Sequence, residues 1–258
     1  MPASDTAPAP LLLGFLAVLA RVMGVVSFLP IPGSRSGPDV VRIVFSLGLT
    51  VALYPLWPAV PSVAAPIGWT AAMLLSEAAF GITAGLFVSF LLESLLVAAQ
   101  ILGLQAGFSY SSTIDPTSQA DSTVLQVAFQ LVAALLFFVC GLHHQIIRAF
   151  AASLRTLPPG AFAVSADLLD LALKSGSAML LLGVRLALPV VALLLLVDIA
   201  MALMGRINAQ LQLLSLAFPA KMLAGLALLA ALAPLVPVLF EGGAARTFQA
   251  LERLAAAR

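Results

Sequence analysis

Long apolar runs, separated by short polar or proline-rich passages, fall at about 11–31, 40–57, 67–104, 123–142, 176–204 and 212–240. Each is dominated by Leu, Val and Ala and lacks the alternation of a barrel strand, so the pattern predicts helices. A helix rises about 1.5 Å per residue, and a bilayer core needs roughly 20 apolar residues to be crossed, so most of the runs are long enough to span. The breaks carry turn chemistry: Pro30-Ile31-Pro32-Gly33, the stretch from Pro55 to Pro66, Asp115-Pro116 and Pro158-Pro159-Gly160. The expected fold class is all-α, a polytopic membrane protein of about six apolar helical segments, several broken or arranged as hairpins. One domain is expected over 1–258, with short polar tails at 1–10 and 241–258.

The run 67–104 does not fit a simple span. As one helix it would be roughly 57 Å long, nearly twice the hydrocarbon thickness. Charge offers a way to decide. If the run turns back on itself, Arg35, Arg42, Arg148, Arg155, Lys174, Arg246, Arg253 and Arg258 all fall on the cytoplasmic side, leaving Arg206 outside. The positive-inside rule therefore predicts a broken or doubled-back segment, an outer N-terminus, a cytoplasmic C-terminus and an outer loop at 105–122.

Composition agrees with the bilayer as solvent. Of 258 residues, 62% are hydrophobic and only 9% charged, and the mean hydropathy is +1.13. A soluble domain carries about 25% charged residues. The net charge of +1 excludes a phosphate-neutralising nucleic-acid binder. A single cysteine, Cys140, forms no intrachain disulfide and no metal cluster. Met1 to Pro10 contain no Lys or Arg, so no basic region precedes the first run, which reads as a retained span. No nucleotide-binding, hydrolase or metalloprotease motif occurs, and the chain reads as a non-enzyme without cofactor or metal.

Several polar groups lie where an apolar run should not hold them. Arg21, Glu77, Glu93, Arg185, Asp198 and Lys221 fall in or just within the runs, and Arg206 lies between the last two. Each costs several kcal/mol at mid-membrane unless it faces protein, water or an opposite charge. Charge pairing between packed helices is the plain explanation, and an ion or proton relay the sharper one. Glu77 and Glu93 are sixteen residues apart, roughly 24 Å along a helix, and share no proton in that state. Arg185 and Asp198 would need a bent helix to meet. His143-His144 point in different directions on a helix and make a poor metal site. Gly81 and Gly85, continued by Ser89, form a small-residue face for close helix packing.

The longest polar passage is Gln105 to Ser122, uncharged except for Asp115 and Asp121. It reads either as a loop wetting two helix ends or as a deformable constriction. In the second reading Gly107 supplies backbone freedom, Phe108 and Tyr110 fill a lumen, and Asp115-Pro116 ends the segment.

Taken in order along the chain, these features resemble the FliR/SctT family, a membrane component of the type III export apparatus of flagella and injectisomes. The resemblance runs from Arg21 and Phe28-Leu-Pro-Ile-Pro-Gly33, through Glu77, Gly81 and Gly85, to Gly103-x-x-x-Gly107 and Asp115-Pro116. It continues in Gly141-Leu-His143, Ser153 to Pro158, and Arg206 to Lys221. The last passage departs from the family's pattern. Arg206, Gln210, Pro219 and Lys221 are present, but Ala209 stands for a proline, Gln212 for an asparagine, Leu214 for a phenylalanine and Ala217 for a glycine.

The resemblance implies a non-catalytic, pore-forming subunit of the flagellar export gate in the bacterial inner membrane, within the basal body. Its implied partners are FliP-like and FliQ-like subunits, with an FlhB-like one, and its cargo is unfolded protein. It implies that Gly107, Phe108, Ser109 and Tyr110 form a plug, with Gly103, Asp115 and Pro116 at its hinge and end. It also offers partner subunits as the place where Glu77, Arg185 and Lys221 find opposite charges. Alternatives are the injectisome version of the same subunit, a self-contained ion-coupled transporter using Glu77, Glu93 or Asp198, and a membrane enzyme acting on lipid-linked substrates.

Overall fold

A computed structural model describes residues 8–29, 39–58, 66–108, 124–207 and 213–256. The apolar runs fold as helices, and no strand occurs among the described residues. The helices are α1 (Pro8–Val26), α2 (Val40–Ala52), α3 (Ile67–Ala106), α4 (Val124–Val139), α5 (Leu142–Thr156), α6 (Ala166–Ile207), α7 (Leu213–Leu232) and α8 (Leu235–Ala256), with a 3-10 turn at Tyr54–Leu56. By length and composition α3 and α6 can each cross a bilayer. Counting the pairs α4–α5 and α7–α8, each interrupted at a bend, as one span apiece brings the total among the described residues to as many as four.

The expected break in 67–104 does not occur: α3 is one helix of 40 residues, roughly 60 Å long. Nothing inside it interrupts the backbone ladder, since it contains no proline. Its length answers to protein rather than lipid, because 56% of its apolar window is buried inside the chain, against 22% for α6. A continuous α3 also removes the fold-back on which the charge sorting depended. The actual interruptions lie elsewhere. Gly141, with φ +67, separates α4 from α5, and residues 233–234 separate α7 from α8.

The chain divides into two compact units: Met1–Phe90 with Gly141–Ser175 and Ala245–Arg258, and Leu91–Cys140 with Gly176–Ala244. In the first unit α1 packs on α2 and crosses the N-terminal half of α3, where Ala17 and Met73 are buried together with Leu13 and Leu74 against them. Trp57 donates its indole N–H to the Thr50 carbonyl at 2.9 Å and stacks edgewise on Tyr54, closing the turn after α2. Helix α5 is amphipathic and buries Leu142, Ile146, Phe150, Ser153 and Leu154.

The second unit is built on Ala98, Leu102, Ala106, Leu125, Ala187, Val190 and Leu194, with Phe108, Phe129 and Leu228 packed against them. Small residues let the helices approach. A Cβ at Gly183 of α6 would lie 2.8 Å from the Ser94 carbonyl of α3. Helix α8 runs through to Ala256, and Ala244, Ala250, Leu251 and Leu254 are buried along it at helical spacing.

Candidate functional site

Two polar clusters stand out in so apolar a chain, one in each unit. The first forms around Arg21 of α1 and Glu77 of α3, both 1% exposed. Arg21 donates through Nε to Glu77 Oε2 at 2.5 Å and through Nη1 to the Ser153 hydroxyl at 3.2 Å. Its Nη2 points at the Leu157 carbonyl, 3.5 Å away. The guanidinium lies over the Phe80 ring, 4.7 Å from its centre, and Phe80 meets Phe162 edge to face. Such a plane, with donors around its edge and a cation–π face, suits arginine and would not suit lysine.

The loop after α5 completes the cluster for a local reason. Pro158-Pro159-Gly160-Ala161 closes with the Ala161 N–H on the Pro158 carbonyl at 3.1 Å, and Gly160 has φ +80. Proline at the second position and a left-handed glycine at the third are the marks of a type II turn. The turn aims the Gly160 N–H at Glu77 Oε1, 3.0 Å away. Ser76 donates to the Phe162 carbonyl at 2.7 Å and holds the same loop on α3. Both carboxylate oxygens of Glu77 are therefore occupied, as a buried charge requires.

Helix α1 reaches this position because glycines remove the side chains between it and α3. A Cβ on Gly81 would fall on the Arg21 carbonyl oxygen. One on Gly24 would lie 2.7 Å from the Ile82 nitrogen, and one on Gly85 2.9 Å from the Val25 carbonyl. Sequence reasoning named Gly81 and Gly85 but missed Gly24, which a Gly-containing run on α1 opposite a small-residue face would have signalled.

The second cluster centres on Asp198 of α6. Lys221 of α7 sits 2.8 Å from Asp198 Oδ1 and donates to Oδ2 at 3.0 Å. Gln105, in the last turn of α3, donates its amide to Oδ2 at 3.2 Å. This pair is more open than the first, with side chains 17% (Lys221) and 39% (Asp198) exposed. Immediately after Gln105 the helix is capped. The Gly107 N–H reaches the Leu104 carbonyl at 3.3 Å and the Phe108 N–H the Gly103 carbonyl at 2.9 Å. With Gly107 at φ +85, this is a Schellman cap, which satisfies two orphan carbonyls of α3.

The expected partner-subunit charges for Glu77 and Lys221 are thus found within the chain, on Arg21 and Asp198. Helix-to-helix pairing inside each unit provides the counter-charge more directly than an outside subunit would. Asp198 pairs with Lys221 and not with Arg185, which is exposed on the same helix. Glu93 is half-buried on α3, and Arg206 is exposed in the last turn of α6. His143 and His144 have ring centres 4.0 Å apart.

Comparison with known proteins covers nearly the whole of this architecture. The family model described as "Bacterial export proteins, family 1" matches residues 12–246. The chain is 32% identical over 220 residues to the flagellar biosynthetic protein FliR of Escherichia coli, covering 84% of this chain and 83% of that protein. The chain belongs to the FliR family. FliR of Pectobacterium carotovorum is 27% identical over 88% of the chain and 87% of its own length. FliR of Caulobacter vibrioides is 28% identical over 83% and 85%.

Both clusters lie within the residues matched to the FliR family model. Of the residues assigned to a closure, Gly103 and Gly107 form the cap on α3, and Phe108 packs against the core of the second unit. Ser109, Tyr110, Asp115 and Pro116 lie outside the described residues, as do Ala209, Gln210 and Gln212 of the divergent passage. Ser153, Gly160 and Gln105 were read from sequence only as parts of longer passages and not as partners of the charges, because a serine, a turn glycine and a glutamine carry no such signal until a charge is placed beside them.

Proposed function

We propose that this chain is a membrane subunit of the flagellar protein-export gate and that it forms part of the pore through which unfolded protein passes. The observation that carries this reading is the match to a protein named for flagellar biosynthesis at 32% identity over 84% of the chain. The flagellar names of the relatives favour the flagellar version over the injectisome one. The subunit does no chemistry. It sits in the bacterial inner membrane with FliP-like, FliQ-like and FlhB-like subunits, which cover apolar surface on the outside of the helices. That surface is large: on α6 alone Leu173, Leu188, Leu196, Ile199 and Leu203 are exposed.

In this reading the passage 105–122 closes the pore, with Gly107 and Phe108 at its base and Ser109 and Tyr110 in its body. The Schellman cap supports a defined departure point, because it fixes where helix ends and loop begins.

The test is purification of the tagged chain in mild detergent, with identification of its membrane partners, alongside a 106–114 deletion. Co-purifying FliP-like and FliQ-like subunits, loss of motility on gene deletion, and a small-solute leak in the 106–114 deletion are expected. Substrate flux through the purified chain alone in liposomes would instead establish a self-contained transporter. An intact barrier in the deletion would sink the closure.

A further inference from the structure

Arg185 of α6 lacks the answer that Glu77 and Lys221 find on Arg21 and Asp198. Among the described residues no acid pairs with it. Its direction is set by the helix. The core of the second unit takes Ala187, Val190 and Leu194 from α6. Each residue turns a helix by about 100°, so Arg185 lies about 160° from Ala187 and about 180° from Leu194. It stands exposed in a stripe with Leu181, Leu188, Ala192, Leu196 and Ile199, which are exposed as well. The face turned away from the core is therefore apolar along this stripe except for one guanidinium. The backbone there is short of a partner too. Pro189 lies inside α6, one turn on. Proline has no N–H to give the carbonyl four residues before it, which is that of Arg185. Pro189 is only about 40° round the helix from Arg185, so the bare carbonyl opens on the same side.

We propose that the Arg185 face of α6 is a docking surface for a membrane helix of a partner subunit, and that this helix carries an aspartate or glutamate opposite Arg185. The proposal rests on the reading of the chain as one subunit of a membrane assembly. Lipid does not meet the two polar needs of this face, because hydrocarbon offers no hydrogen bond. The nearest charged residues along α6 are Lys174, eleven residues before, and Asp198, thirteen after. Roughly 16 and 20 Å of apolar helix thus lie on either side of Arg185. Each is about half the hydrocarbon thickness or more, too far for the side chain to snorkel to a lipid phosphate. A water-filled passage is a poor match as well, since the neighbours of Arg185 in the stripe are all apolar. Arginine does not escape its cost by losing a proton. A carboxylate removes that cost through a two-pronged, charge-assisted contact. A Ser or Thr hydroxyl beside the acid serves the bare carbonyl, and Ala192, two turns along, lets the two backbones come close.

The experiment uses the tagged full chain, produced with its partner subunits and extracted in mild detergent. It reads the amount of each membrane subunit that co-purifies per chain. A photo-crosslinking residue in place of Leu188 identifies what lies on the face. Arg185→Leu leaves the partner's acid buried without a base and is expected to lower recovery of one subunit at least about tenfold. Arg185→Glu is expected to abolish it. The Leu188 cross-link is expected to join that same subunit, at a peptide with an acid within one turn. Exchanging this acid for arginine alongside Arg185→Glu restores the pair with its charges reversed. Recovery is then expected to return to within about threefold of the parent.

Full recovery with Arg185→Leu overturns the docking surface and leaves the assembly reading standing. So does a reversed pair that restores nothing for any acid in the apolar segments of the cross-linked subunit, since a merely structural loss is not repaired by exchanging charges. A Leu188 cross-link to a second copy of this chain, or to lipid alone, overturns it as well. If the Arg185 variants fail to accumulate, the cross-link in the otherwise unchanged chain decides alone. A partner peptide with an acid within one turn supports the proposal, and one without an acid overturns it. A parent chain that brings down no membrane subunit overturns the assembly reading itself.

Discussion

The two charge clusters are built from the same chemistry and solve different problems. Arg21–Glu77 is sealed, its side chains 1% and 2% exposed, and every polar edge around it is met by a hydroxyl, a carbonyl, a backbone N–H or a ring. Asp198–Lys221 is half-open and, among the described residues, is met by one neutral amide. A sealed pair has no alternative to its partner, so it fixes one arrangement of helices. An open pair can exchange partners with water, so it can hold an arrangement and release it. Stability should therefore be concentrated in the first cluster and adjustable behaviour in the second.

The sharpest way to break the contrast is to remove one half of the sealed pair. Glu77→Ala leaves Arg21 charged and enclosed, and Arg21→Ala does the same to Glu77. Either is expected to cost about 3–5 kcal/mol and to abolish accumulation of the folded chain. Replacing both together by apolar residues of similar volume, Arg21→Met with Glu77→Leu, should recover much of that loss. Thermal unfolding in detergent, followed by loss of the monodisperse peak on size exclusion, measures both effects. A double variant no better than the singles would mean that the cluster stabilises through Ser153, Leu157 and Gly160 rather than through the charge pair.

The glycine crossing comes next in size. At Gly81 a Cβ would meet the Arg21 carbonyl oxygen, which is backbone and cannot swing away. Gly81→Ala must push α1 off α3 and is expected to cost about 1–3 kcal/mol. Gly48 of α2 is the control, because nothing lies within 4 Å of a Cβ there. Gly48→Ala should stabilise the chain by up to about 1 kcal/mol through helix propensity alone. Equal and small effects at the two glycines, read by the same melting measurement, would remove the crossing from the account of how Arg21 is delivered.

How much of this was legible in advance follows from the range of each interaction. The all-helical class was readable because it depends on runs of neighbouring residues. Arg21 and Glu77 were readable as costly charges for the same reason. Their pairing was not, because the partners are 56 residues apart and Ser153 is 132 from Arg21. The continuity of α3 was misread because hydrocarbon thickness was taken to set helix length, and here protein covers more than half of the apolar window. The buried stripe of α8 was hidden by its charges, since Arg246, Glu252 and Arg253 sit between the residues that pack. Gly107 was named for its freedom, and its freedom is used to cap a helix.

The smallest effects set the scale for the open pair. Asp198→Asn is expected to lower stability by about 1 kcal/mol or less, because solvent screens a pair of this exposure. A further step along the same series is Asp170–Lys174 in the first turns of α6, 2.6 Å apart with side chains 61% and 74% exposed. The acid precedes the base at i,i+4 and lies toward the helix N-terminus, the more favourable orientation. Even so, Lys174→Met should cost only about 0.3–0.5 kcal/mol, and high salt should remove most of that difference. Melting curves at low and high salt for the three pairs test one ordering. The Arg21–Glu77 loss should be large and insensitive to salt, the Asp198–Lys221 loss small and partly sensitive, and the Asp170–Lys174 loss nearly abolished. A salt-sensitive Glu77→Ala would show that water reaches the sealed cluster, and the distinction between a fixed point and a releasable one would then fail.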